Sequence, residues 1–362
     1  MELFFQAYLF AWVTWTTLSL GCAGILILHH ALRGKWSLVL LRVFESGARL
    51  LPLMGLLSLP IMANVLSEGT LYPWLGVLKD HHLVKAKAAY LNKYWFVART
   101  VIYFLVLSSL TNKLTKSGLR QDKSGDMNES QMRANWGGVG LVIFFITITG
   151  AYVDWVMSLE PRWSSTIFPV WFVMGGGLMA HTFAIIYTTR RMDKEPYKTA
   201  ANQEVMKDWG NIFLMFTLIW AYFSLSQFLI MWSANIPEEV GYYAKRFNDP
   251  TLVMVGAFLV LGQWFIPFIA LLAPRTKQRP RLLRNVAIFS LLMKFIDTFW
   301  TVVPFFTKHG HGIDSTTFLV NVGLLLAMGV LWLGAFQSSI SKYSPLPLHD
   351  PRLEEALNNA RS

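Results

Sequence analysis

Charged residues are scarce in this sequence: Asp, Glu, Lys and Arg make up only 15% of its 362 residues, while 54% are hydrophobic. Soluble domains carry about 25% charged residues, so this chain has too few to cover a surface in water. A mean hydropathy of +0.41 excludes a disordered chain and a coiled coil. The single cysteine, Cys22, excludes an internal disulfide, and also a structural zinc site or iron–sulfur cluster built on several cysteines. The composition therefore predicts an all-α polytopic membrane protein.

Histidines are also too few in the right places for a haem. A haem held across spans needs histidines at facing mid-span positions, and of the eight histidines only His181 falls well inside an apolar segment. His309 and His311, in the motif KHGHG, offer a weak metal site, with an exposed loop as the preferred interpretation. We therefore expect no metal site, no covalently bound cofactor and no redox centre in this chain.

Nine apolar segments are long enough to cross a bilayer, whose hydrocarbon core of about 30 Å needs roughly 20 residues of helix. They predict a transmembrane helical domain over residues 1–338, followed by a polar, cytoplasmic tail over 339–362 that contacts a partner or remains loose. The predicted spans 1 to 9 cover residues 4–29, 37–65, 94–112, 137–158, 167–189, 210–234, 251–273, 285–306 and 315–338.

The orientation follows from the positions of the basic residues. Of the 32 Lys and Arg residues, 20 lie on one side of the predicted spans, 8 lie on the other side and four lie inside spans. By the positive-inside rule, the C-terminus is cytoplasmic and the N-terminus lies outside. The net charge of +11 is thus a topology signal and does not predict nucleic-acid binding. The most polar of the cytoplasmic segments, 113–136, is expected to be a mobile loop.

Span 2 carries three ionisable residues on one helical face, because Arg42, Glu45 and Arg49 are three and four residues apart. Ionisable groups at bilayer depth are costly and are candidates for function. Two interpretations remain open for them: a proton path that uses Glu45, or an internal ion triad that helps span 2 to pack.

Span 8 carries Lys294 and Asp297, and counting from Asn285 places Asp297 about 18 Å deep, near the bilayer midplane. His181 on span 5 lies about 12 Å from the cytoplasmic end of its span. Together with Glu45 these residues form a band of groups able to bind and release protons. Tyr222 and Gln227 on span 6 are candidates for hydrogen bonds to water along this path, with hydrogen bonds between helices as the alternative.

Near the outer face, Arg99 on span 3 and Asp154 on span 4 fall at similar depth and are expected to form an ion pair. Asp154 begins the aromatic turn DWVMSLEPRW (154–163). This turn is a candidate edge for a quinone pocket, and anchoring at the membrane interface is the alternative.

Three runs of the sequence resemble one protein family: HHLVKAKAAYLNKYWFVARTVIYF (81–104), DWVMSLEPRWSSTIFPVWFV (154–173) and FSLSQFLIMWSANIPEEVGYYAKR (223–246). The family is a membrane subunit of alternative complex III, a bacterial quinol:electron-acceptor oxidoreductase, and the resemblance covers essentially the whole chain. It implies an NrfD-like (polysulfide-reductase-membrane-subunit-like) fold of ten spans, with two four-helix bundles and a flanking helix at each end. Here the bundles would be about 1–158 and 167–306 and the flanking helix 315–338. Span 1 resembles the second helix of the family, so the family's N-terminal helix is expected to be missing.

The resemblance also implies a multi-pass subunit in the bacterial cytoplasmic membrane, within a respiratory or photosynthetic quinol:cytochrome c (or other acceptor) oxidoreductase. Its partners would be a homologous NrfD-like sister subunit that binds the quinol being oxidised, an iron–sulfur subunit, multihaem cytochrome subunits and membrane lipid. Haem and iron–sulfur clusters would lie on these partners, whereas this chain would conduct protons and offer a surface for menaquinone or ubiquinone. The alternatives are a stand-alone proton-coupled transporter and a structural scaffold subunit.

Overall fold

The computed structural model describes residues 2–236, 240–306, 314–350 and 352–353, and within these ranges the regular structure is helical, without β-strands. Nine helical segments of this part of the chain are long and apolar enough to cross a membrane. This is the architecture of a polytopic helical membrane protein, and it confirms the predicted fold class. Spans 1 to 9 run Glu2–Leu32, Leu41–Leu66, Lys93–Ser124, Met127–Leu159, Ile167–Thr189, Gln203–Ala234, Pro250–Leu272, Pro280–Phe305 and Ser315–Ile340.

Spans 1 and 5 form the centre of the molecule. In their most apolar stretches 89% and 78% of the residues are buried, against 22–56% in the other spans. The two helices approach closely because each has glycine at the contact: a Cβ added to Gly21 would lie 1.9 Å from the carbonyl oxygen of Gly176. Such an approach between backbones requires glycine. Spans 2 to 4 pack on the span 1 side, spans 6 to 8 pack around span 5, and span 9 packs on span 1. We call spans 1–4 the first helix group and spans 5–8 the second.

Two spans depart from a regular α-helix. Span 2 consists of three short helices, Leu41–Ala48, Leu51–Leu56 and Leu59–Leu66, and the second and third have proline in their first turn. Proline has no N–H to donate to the preceding turn, so the helix stops and restarts at each one. Span 7 contains a π-helical turn, Val260–Phe265, between two α-helical parts. Single π turns occur frequently at functional sites.

The segment 113–136 is not a loop, so the expectation from the sequence was wrong. Span 3 continues as a helix to Ser124 and the next helix starts at Met127. The sharp reversal between them needs only two residues. Gly125 adopts a left-handed conformation (φ 68°), which glycine tolerates, and the side chain of Asp126 accepts a hydrogen bond from the N–H of Asn128. The polar residues of this segment therefore extend two helices beyond the membrane.

Short helices lie at both ends of the bundle. At the end predicted to lie outside, which we call the outer end, they are Pro73–Leu75, His82–Ala86, Met157–Leu159 and Gly241–Phe247. At the opposite end, predicted to be cytoplasmic, they are Tyr197–Ala200 and Pro274–Gln278. The described part of the tail packs on its own chain. Leu346 and Leu353 are buried, and the side chain of Gln121 donates a hydrogen bond to the carbonyl oxygen of His349 (3.1 Å).

Candidate functional site

Lys294 and Asp297 form a buried ion pair on span 8, which we call the central pair. Their side chains are 6% and 5% exposed, and Lys294 contacts Oδ2 of the aspartate. The indole N–H of Trp220, on span 6, donates to the same oxygen (3.1 Å). The other oxygen, Oδ1, has no hydrogen-bond partner among the described residues. Asp297 is therefore a buried carboxylate with free acceptor capacity.

A small cavity of about 10 Å³ lies beside the central pair. This volume is close to the minimum that holds one water molecule. The ammonium group of Lys294 fits here because span 5 has glycine opposite it: a Cβ on Gly175 would lie 2.6 Å from Nζ. The cavity is lined by Thr17, Trp171, Phe172, Lys294, Asp297, Thr298 and Thr301.

The position of Asp297 along span 8 follows from the ends of its helix. Span 8 starts at Pro280 and its α-helix ends at Val302. At 1.5 Å per residue, Asp297 lies about 25 Å from the first of these residues and about 8 Å from the second. Its depth relative to the bilayer midplane stays a prediction.

A second set of buried charges, which we call the inner cluster, lies near the cytoplasmic end of the first helix group. Glu45 accepts from Arg42 at 2.6 Å and from Arg49 at 3.5 Å, and Arg42 also contacts Asp122 on span 3. Glu45 reaches span 3 because Gly118 leaves room: a Cβ there would lie 3.2 Å from Oε1. Three of the four members were predicted from their spacing on span 2, whereas Asp122 was missed because 113–136 was assigned to a loop.

The tail covers the inner cluster at the end of the bundle that is predicted to be cytoplasmic. The backbone N–H of Leu348 donates to Oδ1 of Asp122 (3.0 Å). The guanidinium of Arg49 lies 4.1 Å from the ring centroid of Tyr343. Both contacts join the tail to a charged member of the cluster, so the tail shields these charges from solvent.

A carboxylate of the tail, Asp350, is buried near His29 and Arg133 and has its own cation. It accepts two hydrogen bonds from the side chain of Arg352 (2.8 and 2.6 Å). Although burial by itself raises the pKa of a carboxyl, the hydrogen bonds and charge of Arg352 hold the pKa of Asp350 below its ordinary value. Asp350 is therefore a charged group when the tail is docked.

His181 lies in the interior of the second helix group and is fully buried. Its Nε2 is 2.9 Å from the carbonyl oxygen of Trp209. Because a carbonyl only accepts, Nε2 carries the proton and Nδ1 has a free lone pair, with no partner among the described residues. His181 is about 9 Å along span 5 from Gly175, which packs on Lys294, so it does not contact the central pair directly.

Two further residues, Gln263 and Ser290, offer unpartnered polar atoms in the second helix group. Gln263 on the π turn is fully buried, and neither its amide oxygen nor its amide nitrogen has a partner in the described part of the chain. Ser290 is fully buried and lies four residues before Lys294 on the same helical face, and its hydroxyl is likewise unpartnered there. The π turn packs on span 8, since a Cβ on Gly262 would lie 2.5 Å from Sδ of Met293.

The structure does not bring Tyr222 and Gln227 to the central pair. Tyr222 is 66% exposed on span 6. Gln227 is buried, but it accepts a hydrogen bond from the hydroxyl of Ser165 (2.5 Å) near the outer face. A place for these two side chains along a proton path stays a prediction.

Arg99 and Asp154 form an ion pair at the outer end of spans 3 and 4. Nε and Nη2 of the guanidinium each lie 2.8 Å from a carboxylate oxygen, and the hydroxyl of Tyr103 donates to the same carboxylate (2.8 Å). The guanidinium also stacks 3.9 Å from the ring centroid of Tyr90. A bidentate pair with these supports holds spans 3 and 4 together.

Two adjoining cavities, of about 360 and 440 Å³, lie along the outer aromatic turn. They share Val153, Met157, Trp163 and Ser164, and the larger one also reaches Gln227 and Ser165. Each is within the size range of small-molecule pockets, which are mostly apolar with a few polar groups. The turn therefore borders a space for an amphipathic ring.

Glu160, in the same turn, is buried between two cations and was not among the predicted site residues. It pairs with Arg162 at 2.7 Å and with Lys245 of the helix Gly241–Phe247 at 3.0 Å. Burial raises the pKa of a carboxyl, but the hydrogen bond from Arg162 and the charge of Lys245 hold the pKa of Glu160 below its ordinary value. The bond to Lys245 joins the outer turn to the connection between spans 6 and 7.

Among the described residues, no group of three or more His, Cys, Asp or Glu side chains is placed to hold a metal ion. His309 and His311 lie outside the described residues. Comparison of the sequence with protein-family models gives no match, and comparison with curated proteins gives none either. The family assignment from the three sequence runs therefore stays a prediction.

Proposed function

We propose that this chain is the proton-conducting membrane subunit of a quinol-oxidising electron-transport complex of the alternative complex III type. The resemblance of the three sequence runs supports the assignment to that complex, and the nine spans suit an integral subunit. In this proposal the chain lies in the bacterial cytoplasmic membrane with its C-terminus inside, in agreement with the distribution of Lys and Arg.

The observation that carries proton conduction is the half-partnered carboxylate of Asp297. A carboxylate inside a membrane protein is costly unless it is paired, and here Lys294 and Trp220 satisfy one oxygen while the other has no partner among the described residues. A cavity of one-water size lies beside the pair. Such a group can accept a proton from water and release it again, because protonation requires no existing hydrogen bond to break.

Further buried polar atoms of the second helix group lie between the central pair and the end predicted to be cytoplasmic. Ser290 is one helical turn inward of Lys294, Gln263 lies on the π turn packed against span 8, and Nδ1 of His181 is a free acceptor. Buried polar groups of this kind are normally satisfied by ordered water. A water-filled line through them would bring protons to Asp297 from the inside.

The inner cluster has a different role in this proposal. Glu45 is paired with two arginines and Arg42 bridges it to Asp122, so the carboxylates are neutralised where they lie. These contacts support the ion-triad interpretation, in which Arg42, Glu45 and Arg49 help span 2 to pack. The contact of Arg42 with Asp122 joins spans 2 and 3.

Electron transfer belongs to the partners in this proposal: an iron–sulfur subunit, multihaem cytochrome subunits and a homologous NrfD-like sister subunit. The outer cavities fit the head group of a quinone by size and by their mixture of apolar walls with the Gln227 amide and the Ser164 and Ser165 hydroxyls. When bound, a quinone or quinol supplies the redox chemistry. The residues of this chain would orient its ring and exclude water from it.

The test is proton translocation by the purified complex in liposomes, measured per electron transferred to an added acceptor. Asp297→Asn keeps the shape but removes the titrating group, and we expect proton translocation to fall about tenfold or more with the complex intact. Asp80→Asn, at an exposed outer-loop aspartate, is the matched control.

Two results would contradict the proposal. Unchanged translocation in Asp297→Asn would exclude this residue from the path, and loss of the whole complex would favour the scaffold function. A chain that purifies alone and transports a solute would instead be a proton-coupled transporter.

A further inference from the structure

Arg246 is a fully buried cation on the outer helix Gly241–Phe247, and nothing in the proposed proton path uses it. Its guanidinium donates to three backbone carbonyl oxygens: those of Tyr242 (2.5 Å), Trp300 (3.1 Å) and Thr301 (2.6 Å). Two of these carbonyls belong to the last turn of the span 8 helix, where the helix dipole favours a positive charge. The guanidinium therefore caps the outer end of the helix that carries Asp297.

Aromatic rings enclose the rest of the guanidinium. Its central carbon lies 3.7 Å from the ring centroid of Tyr242, 5.0 Å from that of Trp300 and 5.1 Å from that of Phe305. Within the described ranges no carboxylate lies within 4.0 Å of it. The nearby acid Glu160 has other partners, since it pairs with Arg162 and Lys245. Arg246 is thus a fixed positive charge that is held by backbone carbonyl dipoles and aromatic rings.

The position of this charge matters because Asp297 is only one helical turn away. Thr301, whose carbonyl oxygen binds Arg246, also donates its hydroxyl proton to the carbonyl oxygen of Asp297 (2.8 Å). Asp297 is about 8 Å from the end of the α-helix at Val302, and the guanidinium with its three rings packs on that end. We call the guanidinium and these three rings the wall on the outer side of Asp297.

We infer that Arg246 is the electrostatic barrier that closes the proton path on the outer side of Asp297. A fixed cation in a low-dielectric wall raises the energy of an approaching proton, as arginines do in pores that exclude protons and cations. While no quinol is oxidised, Asp297 then exchanges protons with the inside only, so the membrane does not leak. This inference rests on the proposed proton path, and it adds the residue that makes the path one-sided.

The experiment measures passive proton leak in liposomes that contain the complex with this chain in full, without quinol, under a potassium diffusion potential. Arg246→Gln removes the charge but keeps an amide that can donate to the carbonyls, and we expect the leak to rise about tenfold. Arg246→Lys keeps the charge and should leave the leak at the wild-type level. Lys245→Gln removes the neighbouring cation, which pairs with Glu160 and does not bind the span 8 carbonyls, and should also leave the leak unchanged.

The double variant Arg246→Gln/Asp297→Asn identifies the route. If protons pass through Asp297, the leak returns to the wild-type level. An intact Arg246→Gln complex with wild-type leak would overturn the inference, and so would a double variant that leaks as much as Arg246→Gln alone. Failure of the proposed path itself gives a different result, namely unchanged quinol-driven translocation in the single variant Asp297→Asn.

A labelling measurement decides the question if Arg246→Gln does not assemble. Thr301→Cys places a thiol in the wall with Arg246 retained, and the native thiol of Cys22 is buried. A membrane-impermeant anionic thiol reagent, which Arg246 does not repel, is added to the outer side, with detergent-unfolded protein as the positive control. We expect no labelling of the folded protein. Labelling from outside would show water access through the wall and overturn the inference.

Discussion

The inner cluster and the central pair are both sets of buried charges, but they differ in the number of cations around the carboxylate. In the inner cluster, Arg42 and Arg49 both bind Oε2 of Glu45, and Arg42 also contacts Asp122. In the central pair, Oδ2 of Asp297 binds one cation, Lys294, and the neutral indole of Trp220, and a small cavity lies beside the pair. Two cations hold a carboxylate in its charged form, whereas a carboxylate with one cation and room for a water molecule beside it can exchange a proton. The number of cations, more than burial, therefore separates a structural charge from a functional one.

The largest effect on stability is expected from Arg42→Met. This change leaves the buried carboxylate of Glu45 and the partly buried carboxylate of Asp122 without their shared cation. Removing one partner of a buried ion pair destabilises proteins by about 3–5 kcal/mol. The free energy of unfolding in mixed detergent micelles measures it. Arg120→Met, which breaks the exposed pair with Glu129, is the control and should cost about 1 kcal/mol or less. Equal effects of the two variants would show that the inner cluster contributes no more to stability than an exposed ion pair does.

Lys294→Met is expected to cost less, about 1–3 kcal/mol, although it also removes the cation from a buried pair. The reason is that Asp297 can take up a proton from the adjacent cavity and become neutral. Infrared spectroscopy should detect a protonated carboxyl in this variant that disappears when Asp297→Asn is added. If no such absorption is present and the loss of stability matches that of Arg42→Met, Asp297 is held in its charged form as firmly as Glu45.

Acid should loosen the tail from the inner cluster by about 1 kcal/mol. The pKa of Asp350 is held below its ordinary value in the folded protein, so its contribution to docking is present above the unfolded pKa of about 3.9 and is lost as the pH falls through the lower, folded value. Hydrogen exchange of residues 346–350 should be slow at neutral pH and faster in acid. Asp350→Asn should show the faster exchange at both pH values. A pH dependence that persists unchanged in this variant would contradict the assignment to Asp350.

The smallest effect is expected from Glu45→Gln on proton translocation, which should change less than about twofold. The carboxylate of Glu45 is neutralised by two arginines, so it is not free to exchange protons during turnover. Quinol-driven translocation in liposomes measures the effect, beside Asp297→Asn. A loss as large as that of Asp297→Asn would place Glu45 on the path and remove the distinction between the two regions.

The sequence predicted the spans well because the bilayer imposes a simple demand on composition and length. It placed Arg42, Glu45 and Arg49 on one face, and Lys294 near Asp297, because helical periodicity fixes neighbours three and four residues apart. It missed Asp122 since the polar residues of 113–136 were read as a loop, although polar residues form helices readily outside the membrane. Arg246 was counted only as a topology signal, because nothing in its neighbourhood along the chain shows that it becomes buried.

By itself, the sequence determined that this chain is helical, that it has nine apolar segments and which residues carry charge inside them. Only the tertiary structure decided which charges meet: Arg42 with Asp122, Glu160 with Lys245, and Arg246 with the carbonyls of Trp300 and Thr301. The physical reason is distance along the chain. Periodicity reports contacts within one helix, whereas contacts between helices depend on packing and on glycines such as Gly118 and Gly175 that leave space for a charged side chain.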